Sequence, residues 1–341
     1  MLWPSRRFVV ALLAFGMAGI VIRALADERA DPWKTVARYD LVYRVRLREL
    51  PPAAGPVSVW VPYPAETPDQ RIVTAHIDSP WPTRLTREEK YGNRMVYLEG
   101  KADAAVRDLV MRFVIERHPS TGTPARGTAD DAYLRPALYQ MPDKMIPLSG
   151  VIRDIAVRES RGSETRAAKI RAFYDYVYRT MSYDKSGTGW GRGDAVWACE
   201  NKRGNCTDFH SLFIGMLRSQ EIPARFVIGF PIPDADEGTI PGYHCWAEFY
   251  DEQRGWLPVD ASEAKKNGMA DAYFGTIPND RIEFTAGRDI VLSPPQRGEP
   301  LNYFVYPYSE AEGRPVAPPG TDVHFRRIAS DETGRPEETA R

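Results

Sequence analysis

The sequence predicts an α+β protein in which an N-terminal antiparallel β-sandwich is followed by a domain of helices and an antiparallel sheet. Over residues 35–118, several short segments alternate apolar and polar side chains, which is typical of half-buried strands. From residue 163 onward, apolar residues recur at helical spacing before short strands return. The length of 341 residues is enough for about two domains.

The composition is that of an ordinary globular protein. Hydrophobic residues make up 43% of the chain and charged residues 27%, which argues against a disordered protein. Lys and Arg number 45 against 46 Asp and Glu, so the chain lacks the basic excess of a dedicated nucleic-acid-binding protein. The three cysteines are too few for a disulfide scaffold.

Residues 1–26 have the pattern of a secretory signal peptide. Arg6 and Arg7 precede an apolar stretch over residues 8–22, and an A-x-A cleavage site follows at Ala24-Leu25-Ala26. Fifteen residues rise only about 22 Å in a helix, which is short for a hydrocarbon core of about 30 Å. We therefore expect cleavage after Ala26 and a periplasmic or secreted protein. Because Arg23 interrupts the approach to this site, an uncleaved anchor is the alternative, and membrane contact is expected only in that case.

The predicted sandwich begins with a strand that separates two kinds of side chain. Apolar residues share one face of it and arginines share the other, namely Leu41, Tyr43, Val45 and Leu47 against Arg44, Arg46 and Arg48. Gly92-Asn93 is a turn signal before another strand. Residues 119–150 are rich in Pro, Gly, Ser and Thr, which favours a connector between the domains.

The second predicted domain covers residues 151–308. Ser163 can cap a helix whose apolar stripe is Ile170, Phe173, Tyr174, Val177, Tyr178 and Met181. A second amphipathic helix follows Asn205, and short strands are predicted at 224–229, 244–250, 256–260, 290–292 and 301–308. Residues 309–341 are polar and contain Pro-Pro-Gly, which predicts a flexible tail.

Cys206 lies where the second helix is predicted to begin. Asn205 is a favoured N-cap, and Asp208 is then the third helical residue. The unpaired N–H groups and the positive dipole end of a helix start stabilise a thiolate, which is the nucleophilic form of cysteine. The same N–H groups can stabilise an oxyanion, and Gly204 permits a tight turn. The alternative is that Cys206 is a small buried apolar residue.

His244 and Asp260 lie on two strands that the five-residue segment 251–255 joins as a hairpin. If Tyr250 pairs with Trp256, Asp260 lies opposite Trp246 and one diagonal step from His244, on the same face. In this arrangement a carboxylate can fix the tautomer and orientation of an imidazole. Pro258 indicates an edge strand or a bulge.

These motifs, taken together and in this order, resemble the transglutaminase-like superfamily. The resemblance rests on Gly204-Asn205-Cys206, on residues 243–248 (YHCWAE) and on residues 256–260 (WLPVD), and it covers about residues 150–308. Residues 222–225 and 279–292 also resemble members of that family. The resemblance implies a papain-like α+β core in which the nucleophile lies at a helix N-terminus packed on an antiparallel sheet. It implies that Cys206 is the nucleophile, His244 the base and Asp260 the residue that orients the base.

The implied chemistry is thiol-dependent acyl transfer on an amide. We expect hydrolysis of a peptide or isopeptide bond in a peptide or protein substrate, cell-wall peptide included, without a cofactor or metal. Glutamine–lysine crosslinking is the alternative, but Asn205 and Thr207 stand where the animal crosslinking enzymes carry Gln and Trp. A non-enzymatic binding or scaffold protein that keeps the fold is the third possibility. The sequence leaves the oligomeric state open.

Other residues allow competing interpretations. A zinc site could use Cys199, Cys206, His210, His244 and Cys245, although the spacing lacks a C-x-x-C pair. Cys199 and Cys245 could instead form a disulfide.

Four further residues remain open between a functional and a structural role. His210 lies one helical turn from Cys206, which favours a structural role over that of the base. Trp190 and Trp197 either line the cleft or pack in the core. Glu248 either supports His244 or is a solvated strand residue.

Overall fold

A computed structural model describes residues 31–53, 55–103, 105–122 and 135–329. The predicted signal peptide at residues 1–26 lies outside the described residues, as do residues 330–341 of the predicted tail. Within the described ranges, no helix combines the length and the apolar character needed to cross a membrane.

The described chain begins with strands and then mixes strands with helices. The strands are β1 (Ala37–Val45), β2 (Val57–Pro62), β3 (Gln70–Asp78), β4 (Thr83–Arg87), β5 (Arg94–Gly100), β6 (Leu109–Arg117), β7 (Ser182–Tyr183), β8 (Arg203–Gly204), β9 (Ala224–Pro231), β10 (Glu237–Thr239), β11 (His244–Asp251), β12 (Gly255–Val259), β13 (Arg281–Ala286), β14 (Tyr308–Ala311), β15 (Arg314–Pro315) and β16 (Thr321–Ile328). The α-helices are α1 (Val151–Glu159), α2 (Arg166–Thr180), α3 (Ala195–Asn201), α4 (Cys206–Arg218) and α5 (Ala261–Asn267). Short 3₁₀ helices cover Leu47–Glu49 and Pro136–Gln140.

Two five-stranded antiparallel sheets form the predicted β-sandwich. Their strand orders are β10-β16-β1-β6-β3 and β15-β14-β2-β5-β4. The alternation predicted for β1 is confirmed, because Leu41, Tyr43 and Val45 are fully buried while Arg44 stays partly exposed. These side chains share one apolar core with those of β2 and of α4.

The predicted flexible tail is wrong for residues 309–329. Strand β14 pairs with β2, and β16 pairs with β1 along its whole length, so the C-terminal strands complete both sheets of the sandwich. Val323 and Phe325 are buried between more exposed polar neighbours, which is the period of two that a half-buried strand requires. The sandwich is therefore built from both ends of the described chain, and the predicted boundary at residue 118 does not enclose it. The described residues from Asp31 onward form one compact unit.

The second half of the described chain contains a four-stranded antiparallel sheet, in the order β12-β11-β9-β13. Helix α4 packs on it, and every residue of this helix is buried. Of the pairings that would keep His244 and Asp260 on one face, the structure has the one in which Tyr250 lies opposite Trp256. Strand β12 is an edge strand, which explains how Pro258 is accommodated without breaking the ladder.

Several predicted boundaries need correction. Thr165, not Ser163, caps α2 by accepting a hydrogen bond from the Ala168 N–H. The strands predicted at 290–292 and 301–308 reduce to one bridge between Ile290 and Leu301 and to the start of β14. The sequence did not predict α1, α3, α5 or β13. Strand β13 lies at the edge opposite β12, and its first residue reaches the site described next.

Candidate active site

Cys206 is the first residue of α4, as the sequence predicts. Asn205 caps the helix through its Oδ1, which accepts a hydrogen bond from the Thr207 N–H at 2.9 Å. Asp208 completes a capping box by accepting a hydrogen bond from the Asn205 N–H at 2.9 Å. Only 2% of Cys206 is exposed, so its sulfur lies at the helix start in a largely water-free site.

Asp208 also holds the glycine-rich loop that precedes α3. Its two carboxylate oxygens accept hydrogen bonds from the N–H groups of Gly191 at 2.7 Å and Gly193 at 3.0 Å. Gly204 has a φ of +144°, and a Cβ there would lie 2.2 Å from Oδ2 of Asp208. A glycine is therefore required at position 204 so that Asp208 can approach the backbone. The sequence predicted the tight turn but not this role of Asp208.

His244 and Asp260 lie together, as the hairpin register predicts. Nε2 of His244 is 2.6 Å from Oδ2 of Asp260, and both residues are buried. Asp260 caps α5, because its Oδ1 accepts hydrogen bonds from the Glu263 N–H and the Ser262 hydroxyl. Since Nε2 of His244 is engaged by Asp260, Nδ1 is the ring nitrogen left for another partner.

Each charged group in this site shifts the pKa values of its neighbours towards their charged forms. The groups are Cys206, His244 and Asp260. Hydrogen bonding by Cys245 and then by His244 holds the pKa of the Cys206 thiol well below its usual value, although burial opposes this. Burial also opposes protonation of His244, but Asp260 and Cys206 outweigh it and raise its pKa to about 9. The pKa of Asp260 is lowered despite its burial, chiefly by His244. The shifts therefore favour the charged forms of all three groups, a row of a thiolate, an imidazolium and a carboxylate.

His210 lies near the second carboxylate oxygen of Asp260, away from His244. The sequence favours a structural role for this residue. Its Nε2 accepts a hydrogen bond from the Ala261 N–H at 3.1 Å and lies 3.6 Å from Oδ1 of Asp260. Its Nδ1 lies 3.7 Å from the sulfur of Cys245. Burial lowers the pKa of His210, so this ring is neutral at neutral pH.

Sequence reasoning missed three side chains around this row. Arg281, the first residue of β13, places Nη2 at 3.3 Å from Oδ2 of Asp260. Nζ of Lys266 lies 3.9 Å from the ring centre of Tyr183, and the charge on Cys206 contributes to the raised pKa values of both residues. In the sequence, the only sign of a role for Arg281 is a charged residue at the start of a partly apolar strand.

The remaining candidates take structural places. Glu248 is neither solvated nor bonded to His244, because it is buried and accepts a hydrogen bond from Nε of Arg225 at 2.7 Å. Trp197 lies on α3 against Gly189, and Trp190 donates a hydrogen bond to the Gly187 carbonyl within the glycine-rich loop.

The cysteines do not support the two other interpretations. Cys199, Cys206 and Cys245 are all free thiols, so the Cys199–Cys245 disulfide does not form. Among the described residues, no group of three or more His, Cys, Asp and Glu side chains is arranged to hold a metal ion. The zinc arrangement is therefore not realised in the described part of the chain.

Comparison with known proteins gives a consistent result. Residues 153–261 match the sequence model of the transglutaminase-like superfamily. An uncharacterized protein of Haemophilus influenzae is 26% identical over 307 residues, which cover 77% of this chain and 82% of the relative. An uncharacterized protein of Mycobacterium leprae is 31% identical over 140 residues, which cover 38% of this chain and 44% of the relative.

A solved structure extends the likeness to the fold. The crystal structure of a Cytophaga hutchinsonii protein, provisionally described as a cysteine protease, has a TM-score of 0.58 at 15% identity. The match covers 88% of this chain and 93% of that one, so the two share a fold over the sandwich as well as the core. Residues 153–261 therefore form a transglutaminase-like core, within a fold that the chain shares with that solved structure.

Proposed function

We propose that the protein is a thiol-dependent amide hydrolase that cleaves a peptide or isopeptide bond. The observation that carries this proposal is the buried row of Cys206, His244 and Asp260, in which His244 and Asp260 are 2.6 Å apart. In this row the thiolate would be the nucleophile and the imidazolium the acid–base group. The carboxylate, on the far side of the imidazolium, would orient the ring.

The reaction follows from the charges of these groups. The Cys206 sulfur attacks the amide carbonyl, and the N–H groups at the start of α4 stabilise the oxyanion. His244 then gives its proton to the departing amine, the carbon–nitrogen bond breaks, and a thioester remains on Cys206. Neutral His244 next takes a proton from water and the hydroxide attacks the thioester. The carbon–sulfur bond breaks, the acid is released, and Cys206 leaves as the thiolate beside the imidazolium. Asp260 stabilises the imidazolium and holds its ring throughout.

Hydrolysis is favoured over crosslinking by the surroundings of Cys206. Asn205 stands before the nucleophile, and its side chain is committed to the helix cap and to a hydrogen bond with the Tyr243 hydroxyl at 3.2 Å. Thr207 follows the nucleophile, with its hydroxyl bonded to Asn205. Neither position carries the Gln or Trp of the animal crosslinking enzymes.

Selective alkylation tests the nucleophile. Cys206 should react with iodoacetamide fastest of the three cysteines, with an apparent pKa below the ordinary value of about 8.5. Cys199 is the matched control, because it is a buried free thiol whose pKa burial raises. Equal labelling of the two cysteines would favour the non-enzymatic scaffold.

Product analysis tests the reaction. The wild-type protein should cleave peptides from a mixed peptide library, and Cys206→Ala should not, whereas Cys199→Ala should retain activity. Incubation with a glutamine peptide and a labelled primary amine separates the two acyl-transfer reactions. Incorporation of the amine without hydrolysis would replace the proposal with crosslinking.

The proposed setting is the periplasm or the cell exterior. This part rests on the signal peptide that the sequence predicts at residues 1–26. N-terminal sequencing of the protein from a native host should begin at Asp27, and an intact N-terminus in the membrane fraction would indicate the uncleaved anchor.

A further inference from the structure

Arg281 contacts the same oxygen of Asp260 that His244 contacts. Its Nη2 lies 3.3 Å from Oδ2 of Asp260, and Nε2 of His244 lies 2.6 Å from that atom. Arg281 is only 4% exposed, and Asp260 is fully buried. One carboxylate oxygen is therefore shared between the imidazole and a buried guanidinium.

A second carboxylate fixes the direction of the guanidinium. Nη1 of Arg281 donates a hydrogen bond to Oδ1 of Asp280 at 2.6 Å, while its Nε has no hydrogen-bond partner among the described residues. The two ends of the planar group thus hold two different carboxylates, which a single-point cation such as lysine cannot do with the same geometry.

The β-sandwich holds the backbone of Arg281. Nε of Arg117, the last residue of β6, donates a hydrogen bond to the Arg281 carbonyl at 2.7 Å. Arg117 is itself 2% exposed, and its Nη1 donates to the Asp69 carbonyl at 2.9 Å. A chain of buried contacts therefore runs from the sandwich through Arg281 to Asp260.

We infer that Arg281 is a positioning residue, which aims the Asp260 carboxylate at His244 and links the β-sandwich to the proposed active site. This inference rests on the proposed function. The side-chain hydrogen-bonding contacts of Arg281 within the described part of the chain are to Asp260 and Asp280, so it acts through Asp260. The sandwich, for which the sequence indicates no chemistry, gains a role as the support of this residue.

The charge of Arg281 makes the inference testable. Burial would raise the pKa of Asp260, but the charges of His244 and then Arg281 keep it low. By the same Coulomb interaction, a cation at Arg281 favours the thiolate of Cys206 and disfavours the imidazolium of His244. Removing this cation should therefore raise the pKa values of both groups.

The experiment compares Arg281→Gln with Arg218→Gln in the full chain. Arg218 is the matched control, because it is also buried and bonds a buried carboxylate, Asp143, at 2.6 Å, but lies at the opposite end of α4. The Cys206 pKa is measured from the rate of iodoacetamide alkylation against pH, and the His244 pKa from NMR of labelled histidine. Arg281→Gln should raise both pKa values by about 1 unit. Arg218→Gln should lower the melting temperature without moving either value.

Arg281→Lys separates charge from geometry. It should leave both pKa values near those of the wild type, because the positive charge is kept. It should lower kcat about 10-fold with little change in KM, because lysine cannot bond both carboxylates with the geometry of the planar guanidinium. It also keeps a cation between Asp260 and Asp280, so it tests the inference if Arg281→Gln fails to fold.

The inference is overturned if folded Arg281→Gln keeps both wild-type pKa values, or if Arg281→Lys keeps the wild-type kcat. Failure of the proposed function would look different. Neither the alkylation profile nor the histidine titration needs turnover, so an absence of hydrolysis by the wild type would refute the proposed function while these shifts could still be measured.

Discussion

The two sides of the Asp260 carboxylate hold histidines with opposite properties. His244 and His210 are both buried, yet the pKa of His244 is raised to about 9 and that of His210 is lowered. His244 meets Oδ2 at 2.6 Å, whereas His210 is 3.6 Å from Oδ1 and accepts a hydrogen bond from the Ala261 N–H. Burial lowers the pKa of both rings, so burial alone does not set the charge of a histidine. Burial keeps His210 neutral, while the charges of Asp260 and Cys206 outweigh burial at His244.

The largest expected effect comes from replacing each histidine by glutamine. His244→Gln should reduce peptide hydrolysis by about 10²- to 10⁴-fold, because it removes the proposed acid–base group. His210→Gln keeps an acceptor for the Ala261 N–H, and we expect a loss of about 10-fold or less. Steady-state rates on one peptide substrate, with circular dichroism to verify folding, provide the measurement. Equal losses in the two variants would break the comparison and would assign acid–base chemistry to neither ring.

Replacing the carboxylate should have the next largest effect. Asp260→Asn retains a side chain that can cap α5 but removes the negative charge behind His244. We expect kcat to fall roughly 10²-fold, and the alkaline limb of the rate profile to move from about pH 9 towards about 6.5. The pH dependence of kcat/KM measures both changes. An alkaline limb that stays near pH 9 would show that Asp260 does not govern His244.

The pH dependence of stability should reveal the ion pair. His244, whose pKa is raised on folding, contributes stability below about pH 6.5 that is lost as the pH rises through about 9. Cys206, whose pKa is lowered, contributes stability above about pH 8.5 that is lost as the pH falls through its folded value. Between about pH 6.5 and 8.5 the two slopes cancel, so the pair leaves the free energy of unfolding flat.

Cys206→Ala should unmask the slope of His244. Without the thiol, the free energy of unfolding should fall as the pH rises through this window, because the native imidazolium retains a proton that the unfolded chain has lost. Urea denaturation at a series of pH values provides the measurement. His210→Gln provides a comparison at acid pH. It should remove part of the loss of stability below about pH 6.5, because buried His210 stays neutral where the histidine of the unfolded chain is protonated. A flat profile in Cys206→Ala would mean that Asp260, without the thiolate, does not raise the pKa of His244.

The smallest expected effect concerns the oxygen of Asp260 that faces away from His244. The Ser262 hydroxyl donates to Oδ1 at 2.9 Å, and the Glu263 N–H would still satisfy this atom in Ser262→Ala. We expect a loss of about 1 kcal/mol in the free energy of unfolding and a change in kcat of roughly 3-fold or less. Thermal denaturation and steady-state kinetics measure the two quantities. A loss of activity as large as that of Asp260→Asn would mean that both oxygens orient His244.

Local patterns were sufficient to predict much of the candidate site. The cap at Asn205, Cys206 at the helix start and the pairing of Tyr250 with Trp256 depend on neighbours within a few residues or on the length of one hairpin loop. The alternation in β1 predicted its buried face for the same reason. Such features are determined by the backbone geometry of single elements.

The errors fall where distant segments meet. The sequence predicts a tail from residue 309 onward, because Pro, Gly and charged residues there outweigh a short alternation of apolar and polar residues. That alternation gains its meaning only from pairing with β1 and β2. Cys245 and His210 are 35 residues apart, and their contact depends on how α4 packs on β11. No local pattern reports such a pairing.

The sequence by itself determined which residues are candidates for the proposed chemistry, since helix caps, strand parity and hairpin length are local properties. Only the tertiary structure decided the charge states. Asp260 meets His244, His210 and Arg281 across sequence separations of 16 to 50 residues. The physical reason is that a pKa depends on burial and on the distance to every nearby charge, and both quantities arise only when the sheet, the helix and the sandwich pack together.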